Sequence, residues 1–339
     1  MAFSESRGSL NYESLYEQAK EEIKDAIPPW KEASFTQRLR LALYYLAIYM
    51  PVVVLTLLVV VGYTTYVAFY VVPLVTDKDD PPELYYWHTD SEKSNARLRG
   101  WIFFAVVTWT VGCISVAHVQ CIRVDPGSIP QEKPWDIPSD EDSNSSDSET
   151  RLRLVERSET GDVRTCGRCT KRKPDRTHHC KQCDRCNLKM DHHCNWVANC
   201  VGFYNYKYFF QMVFYGALAL AVFMGTFWET VVVTVADPDQ SAFLSFYIVL
   251  SYSLMVMLGV ALIGFCIFHF WMISNNYTTI EYCEKRRQKK HTLYSQKSPF
   301  DLGTYKNFQE ALGRNPWFWF LPFNYRQKDE SGLFFEVQE

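Results

Sequence analysis

Charge is what four long stretches of this chain lack. Pro51 to Val75, Gly100 to Ile122, Tyr208 to Thr234 and Phe243 to Ile273 together hold one formally charged side chain, Glu229. Each stretch has about 20 residues or more, the length needed to span roughly 30 Å of hydrocarbon. Buried helices of a soluble protein seldom come so clean, so the blocks predict four transmembrane helices. Long polar segments dilute the average and explain a mean hydropathy of only -0.18. Lysine and arginine are missing from one side. The loop from Asp237 to Ser241 has none, and Thr76 to Arg99 carries more acids than bases, whereas Arg38, Arg40, Arg123, Lys207 and the run from Lys285 to Lys290 flank the opposite face. The positive-inside rule then makes both termini and the long loop between the second and third spans cytosolic. No acid or histidine pairs occur at mid-membrane, only the lone His118 and His269, which argues against a metal transporter. A cleavable signal peptide is also not apparent, since a polar segment precedes the first apolar block.

Cysteine is plentiful in one place. Seven of the 11 cysteines fall between Cys166 and Cys200, where the chain repeats itself every fourteen residues. Cys166, Cys169, His179 and Cys186 recur as Cys180, Cys183, His193 and Cys200, so one C-x2-C-x9-H-x6-C string is written twice, overlapping. Each string predicts one tetrahedral Cys3His zinc site. A reducing cytosol keeps such thiols available for metal rather than for disulfides. The segment has no sizeable apolar core of its own, so two structural zinc ions must supply much of its folding free energy. The cross-brace order of a RING-type ligase would need a second C-x2-C after Cys186, and there is none.

A third copy of the string would start at Cys194, but Val197, Lys207 and Phe214 occupy the remaining positions. Cys194 is thus a leftover thiol, and it follows Asp191-His192-His193 directly. His192 can take its proton while Asp191 fixes the imidazole tautomer, the composition of an activated nucleophile. A thiolate at a membrane surface suits acyl transfer from a thioester. A non-enzymatic zinc scaffold with a spare cysteine would leave Asp191 and His192 unexplained.

Asp191-His192-His193-Cys194 inside this cysteine-rich frame resembles the DHHC family of protein S-acyltransferases. Asp125-Pro126-Gly127 after the second span, Thr278-Thr279-Ile280-Glu281 after the fourth and Asn307 near the C-terminus resemble further landmarks of that family, over roughly Pro51 to Pro322. The resemblance implies an α-helical integral membrane protein, with four transmembrane helices and a cytosolic two-zinc cysteine-rich domain between helices 2 and 3. It implies that Cys194 is acylated by a long-chain acyl-CoA and passes the acyl group to cysteines of membrane-associated or cytosolic proteins. It also implies an acyl cavity among the spans, with Ala219 at its far end, and an active-site contact from Thr279. Independently, Thr278 with Glu281 reads as a helix capping box. The phosphates of acyl-CoA call for a basic wall beside Cys194, for which Lys173, Arg176 and His178 are candidates. Two positions depart from the family's pattern: Asn195 stands where proline is usual, and Ala198 where asparagine is usual.

The resulting organisation is a cytosolic segment 1–50 with an interfacial helix, spans 1 and 2 over 51–122, and a linker 123–164 containing the acidic stretch Ser139 to Thr150. The zinc-binding domain follows over 165–207, then spans 3 and 4 over 208–273 and a cytosolic region 274–339. Pro51 is expected to open the first span, and a short amphipathic helix to precede Pro28-Pro29. The protein is expected in an endomembrane (Golgi or ER) or the plasma membrane, in contact with the lipid bilayer and with no nucleic-acid partner.

Overall fold

The structure, a computed structural model, describes residues 34–76, 90–131, 135, 162–288, 297–323 and 331–337. The helix expected before Pro28-Pro29 and the acidic stretch lie outside these. The chain divides into two compact units, residues 1–50 and 51–339. In the first, Ser34 caps a helix: its backbone N–H donates to Gln37 Oε1 at 2.8 Å and its hydroxyl accepts from the Gln37 N–H at 3.4 Å, a reciprocal cap. That helix, α1, runs over Phe35–Tyr66 with Pro51 inside it. Pro51 therefore does not open the helix. It removes one backbone donor, the one that would have met the Ala47 carbonyl. A π-helical turn, Val67–Val71, and a short α2, Val72–Val75, complete the element.

Three more long helices follow: α3, Asp90–Arg123, α4, Tyr206–Ala236, and α5, Ala242–Ser274. Valine-rich runs such as Val52-Val53-Val54 would favour strands in water. In hydrocarbon every backbone N–H and C=O must be satisfied within the segment, and the helix does so. Among the described residues, four helices are long and apolar enough to cross a membrane, beginning at Phe35, Lys93, Tyr206 and Ala242. In the second unit α4 packs against both α3 and α5. Glycines permit the α4–α5 approach: a Cβ on Gly259 would lie 2.8 Å from Met224 Sδ, and one on Gly216 2.9 Å from Leu262. Tyr66, Phe223, Phe227, Ile248 and Met255 fill one end of the bundle, and Phe209, Phe210, Val213 and Ile273 fill the other, beside Cys194. Glu229, the lone charge of the apolar blocks, is paired with Arg99 at 3.0 Å.

Among the described residues between α3 and α4 lie three two-stranded hairpins: β1–β2 (Thr165–Cys166, Lys171–Arg172), β3–β4 (His178–Cys180, Arg185–Asn187) and β5–β6 (His192–Cys194, Asn199–Val201). The fourteen-residue repeat is thus structural. Cys180 pairs with Arg185 as Cys194 pairs with Asn199, and the turns of all three hairpins hold a residue with left-handed backbone: Thr170 (φ 50°), Asp184 (φ 51°) and Ala198 (φ 48°). Cys194 occupies in the third hairpin the place that Cys166 and Cys180 hold in the first two.

The C-terminal region adds α6, Thr279–Gln288, and α7, Thr304–Leu312. Thr278 and Glu281 form the expected capping box, with bonds of 2.9 and 3.2 Å. Asn307 ties α7 to the end of α5 by donating to the Ser274 carbonyl at 2.9 Å. Beyond α7 the chain lies along α4, where a stripe one turn apart captures its carbonyls. Lys207 donates to Phe323, Gln211 to Trp319 and Leu321, and Tyr215 to Phe320, at 2.6–3.0 Å.

Candidate active site

Two clusters of possible metal ligands occur among the described residues, Cys166, Cys169, His179 and Cys186, and Cys180, Cys183, His193 and Cys200. Within each, the ligand atoms lie within 4.8 Å of one another. In the first, His179 Nδ1 is 3.6, 3.3 and 3.8 Å from the three sulfurs. In the second, His193 Nδ1 is 3.5, 3.4 and 3.6 Å from its three, and two sulfurs are 3.5 Å apart. Tetrahedral zinc with ordinary bond lengths places nitrogen and sulfur about 3.6 Å apart and two sulfurs about 3.8 Å apart. The donor sets therefore fit zinc. The other ring nitrogen of His179 lies 3.8 Å from Asp184 Oδ1, beyond hydrogen-bond distance. β3 carries His179 of one cluster and Cys180 of the other, so the two are built on shared backbone.

Cys194 belongs to neither cluster. It is buried, and the loop that follows it is anchored to the end of α3. His118 Nε2 donates to the Trp196 carbonyl at 3.1 Å, and Asn199 Nδ2 reaches the carbonyls of Cys121, Ile122 and Val124 at 3.1–3.3 Å. Asn205 Nδ2 shares the carbonyls of Cys121 and Val124 at 3.4 Å, so the acceptors at this helix end are satisfied by side chains. Asp125 continues the junction: it accepts from the Gly127 N–H at 2.8 Å and pairs with Arg185 of β4 at 2.6 Å.

Asp191 is fully buried and has three donors. His192 Nδ1 lies 2.7 Å from Oδ2, the Thr279 hydroxyl 2.7 Å from the same oxygen, and the Thr279 N–H 2.9 Å from Oδ1. Burial alone would push this carboxyl up, but the hydrogen bond and charge of His192 and the Thr279 N–H hold it below the ordinary range. Burial works to lower His192 in the same way, yet Asp191 on one side and Cys194 on the other override it and raise the imidazole to about 9. The His192 ring packs edge-on against Phe209, centroids 4.9 Å apart, and His269 flanks Phe209 at 5.1 Å while bonding Tyr206. The structure thus brings together Asp191, His192, Cys194 and Thr279, residues from the loop before β5, from β5 itself and from the start of α6.

The basic wall is distributed differently from the sequence expectation. Arg176 is 1% exposed and is not a surface cation. Its guanidinium makes two bonds to Glu281, at 2.7 and 2.8 Å, others to Asn276 and Glu310, and stacks on Phe300 at 4.5 Å. The proposed phosphate contact is therefore corrected to a buried junction between the hairpins and the C-terminal region. Glu310, which also meets Lys189 at 2.6 Å, is drawn down to about 2 by Lys189 and Arg176 against the cost of burial. His178 is pushed down to about 4 by burial and by Arg164 and Lys173 nearby, which keeps it neutral. Lys173 is partly exposed. Ala219 packs with Cys113, Ile114 and Tyr215, and Val59 of α1 joins the same cluster.

A family model described as DHHC palmitoyltransferase matches residues 159–286. Probable protein S-acyltransferase 15 of Arabidopsis thaliana is 33% identical over 255 residues, covering 73% of this chain and 91% of that protein. Palmitoyltransferase PFA3 of Eremothecium gossypii is 32% identical over 267 residues, 69% of this chain and 79% of the relative. Palmitoyltransferase ZDHHC15 of Mus musculus is 37% identical over 181 residues, about half of each chain. With the metal clusters, the apolar helices and the Asp191-His192-His193-Cys194 hairpin on one chain, the protein belongs to the DHHC palmitoyltransferase family and is a protein S-acyltransferase.

Proposed function

We propose that Cys194 is the residue that carries the acyl group, taken from a long-chain acyl-CoA and delivered to cysteines of proteins at the cytosolic membrane face. The observation that carries this is the third hairpin. It repeats the backbone of the two metal-binding hairpins, but its cysteine has no metal partners and faces His192 instead. When bound, zinc at each Cys3His cluster supplies rigidity, cross-linking β1 to β4 and β3 to β6.

His192, oriented by Asp191, accepts the Cys194 proton. The thiolate attacks the thioester carbonyl, the bond to the CoA sulfur breaks, and the departing thiolate is protonated from the imidazolium. In the second half-reaction a substrate cysteine gives its proton to the now neutral His192 and attacks the Cys194 thioester, and Cys194 leaves as the thiolate beside the imidazolium. Asp191 stays ionised throughout and stabilises the imidazolium. Lys173 is the remaining basic residue of the original three suited to a CoA phosphate. The acyl chain lies among the spans, with Ala219, which carries only a methyl, at the far end of its path. The positive-inside pattern supports cytosolic termini and active site.

The test is Cys194→Ser. It should retain about two zinc ions per chain by elemental analysis, fold, and form no hydroxylamine-sensitive adduct with palmitoyl-CoA. Loss of one zinc would place Cys194 in a metal set and overturn the reading. His193→Ala should lose metal, and His192→Ala should keep it while slowing acylation by roughly 10²–10⁴-fold.

A further inference from the structure

The residues nearest the C-terminus return to the hairpins. Over residues 331–337 the chain runs as an extended strap held by backbone bonds on both sides. The Ser331 carbonyl accepts from the Tyr204 hydroxyl at 3.2 Å, the Leu333 carbonyl accepts from the Asp175 N–H at 3.3 Å, and the Phe335 N–H donates to Asp175 Oδ2 at 3.3 Å. Leu333 packs beside Cys166, Cys169 and Cys186 of the first cluster, and Phe334 lies on Trp135, centroids 5.7 Å apart. Phe335 sits between Phe203 and Phe300 with its ring 5.2 Å from the Arg176 guanidinium and 5.6 Å from Lys189 Nζ. Phe300 covers Arg176 as well, so the guanidinium is roofed by two aromatic rings. Gly332 is the tight point. It has φ +67°, and a Cβ there would come within 2.5 Å of the Phe203 ring.

Arg176 leads on to the reacting residues. Its two bonds to Glu281 fix the carboxylate that caps Thr278, and the next residue, Thr279, gives Asp191 two of its three donors. An arginine shielded from water bonds its carboxylates more strongly than a solvated one. We propose that the segment Ser331–Val337 is a docked strap, with Phe335 a positioning residue that sets the rate of acyl transfer through Arg176, Glu281 and Thr279. The corollary is that the cleft formed by Asp175, Tyr204, Phe203, Phe300 and Arg176 binds a short peptide with an aromatic side chain, and that this chain supplies its own ligand. The proposal rests on the assignment of Asp191, His192 and Cys194 given above.

The test uses full-length protein. Gly332→Ala should release the strap, seen as faster amide exchange at Leu333 and Phe335. It should keep two zinc ions and lower kcat for adduct formation roughly tenfold with KM for palmitoyl-CoA unchanged. A synthetic peptide of residues 331–339 added in trans should restore kcat, and the same peptide carrying Phe335→Ala should not. In the full chain, Phe335→Ala should behave as Gly332→Ala does, and Phe335→Tyr, which keeps the ring, should match the parent. This second pair carries the test if Gly332→Ala does not fold. Parental kcat in Gly332→Ala or Phe335→Ala, or failure of the native peptide to restore it, overturns the proposal. A fluorescent copy of the peptide should also bind the Gly332→Ala, Cys194→Ser double variant. That binding needs no chemistry at Cys194, so its absence counts against the strap, whereas an acyl adduct surviving in Cys194→Ser alone counts against the nucleophile.

Discussion

Replacing Thr279 by valine removes one hydroxyl and keeps the shape of the side chain. The hydroxyl donates to Asp191 Oδ2 at 2.7 Å, the oxygen that also faces His192 Nδ1 at 2.7 Å. A hydrogen bond to a charged group contributes about 1.5–3 kcal/mol. Asp191 is fully buried, so no water stands ready to replace the lost donor. It keeps two others, His192 and the Thr279 backbone N–H at 2.9 Å, and the carboxylate is not abandoned. The variant should fold and hold both metals. The loss falls instead on the orientation of Asp191 and on its support of the imidazolium, and at about 1.4 kcal/mol per factor of ten it amounts to roughly a ten- to hundredfold slower acylation. Single-turnover formation of the hydroxylamine-sensitive adduct measures it, with Thr279→Ser expected to return most of the rate. A Thr279→Val rate within about twofold of the parent, with zinc intact, would refute the link between Thr279 and the reacting groups.

Three further outcomes are expected. Ala219→Tyr should place a ring against Ile114 and Val59 and selectively reduce use of stearoyl-CoA relative to palmitoyl-CoA; an unchanged ratio in folded protein would remove Ala219 from the acyl cavity. Ala198, held at φ 48°, should gain about 1 kcal/mol of stability on replacement by glycine, which adopts that backbone freely, and thermal unfolding in detergent with zinc present would detect the rise. Arg176→Lys should lower the melting temperature, because lysine keeps the charge but cannot reproduce two parallel bonds to Glu281, and each lost bond to a charged group contributes about 1.5–3 kcal/mol. A higher KM for acyl-CoA with no change in melting would instead restore Arg176 to the phosphate wall.

The spans were legible because an absence of charge over twenty or more residues has few physical explanations, and the metal sets because their spacing repeats. Asp191, His192 and Cys194 stood out for the same reason: the repeat showed which thiol was left over. What stayed hidden depends on contacts distant in sequence. Two- and three-residue strands are too short to display alternation, so the hairpins left no periodic signal. Pro51 reads as the opening of the first span, and sequence does not reveal that one helix, Phe35–Tyr66, runs on through it. Arg176 is one cation among several in a basic stretch, and nothing local announces that Glu281, more than a hundred residues later, will bury it. The partner of His118 is a backbone carbonyl, at Trp196, and sequence does not reveal such partners. Gly332 and Phe335 sit in an unremarkable tail whose role appears only against Phe203 and Asp175.

The overlap of the two metal strings has a consequence for how the segment can change over generations. Residues 180–186 lie inside both loops at once, since the first string closes at Cys186 after the second has opened at Cys180. An inserted or deleted residue there shifts the register of both ligand sets together. Ordinary zinc fingers are beads that can be duplicated, dropped or shuffled singly. Here neither finger can be excised while leaving the other whole, and the hairpin bearing Cys194 begins inside the second. A change of length within residues 180–186 therefore disturbs both metal sets at once, whereas substitutions there can leave both registers intact.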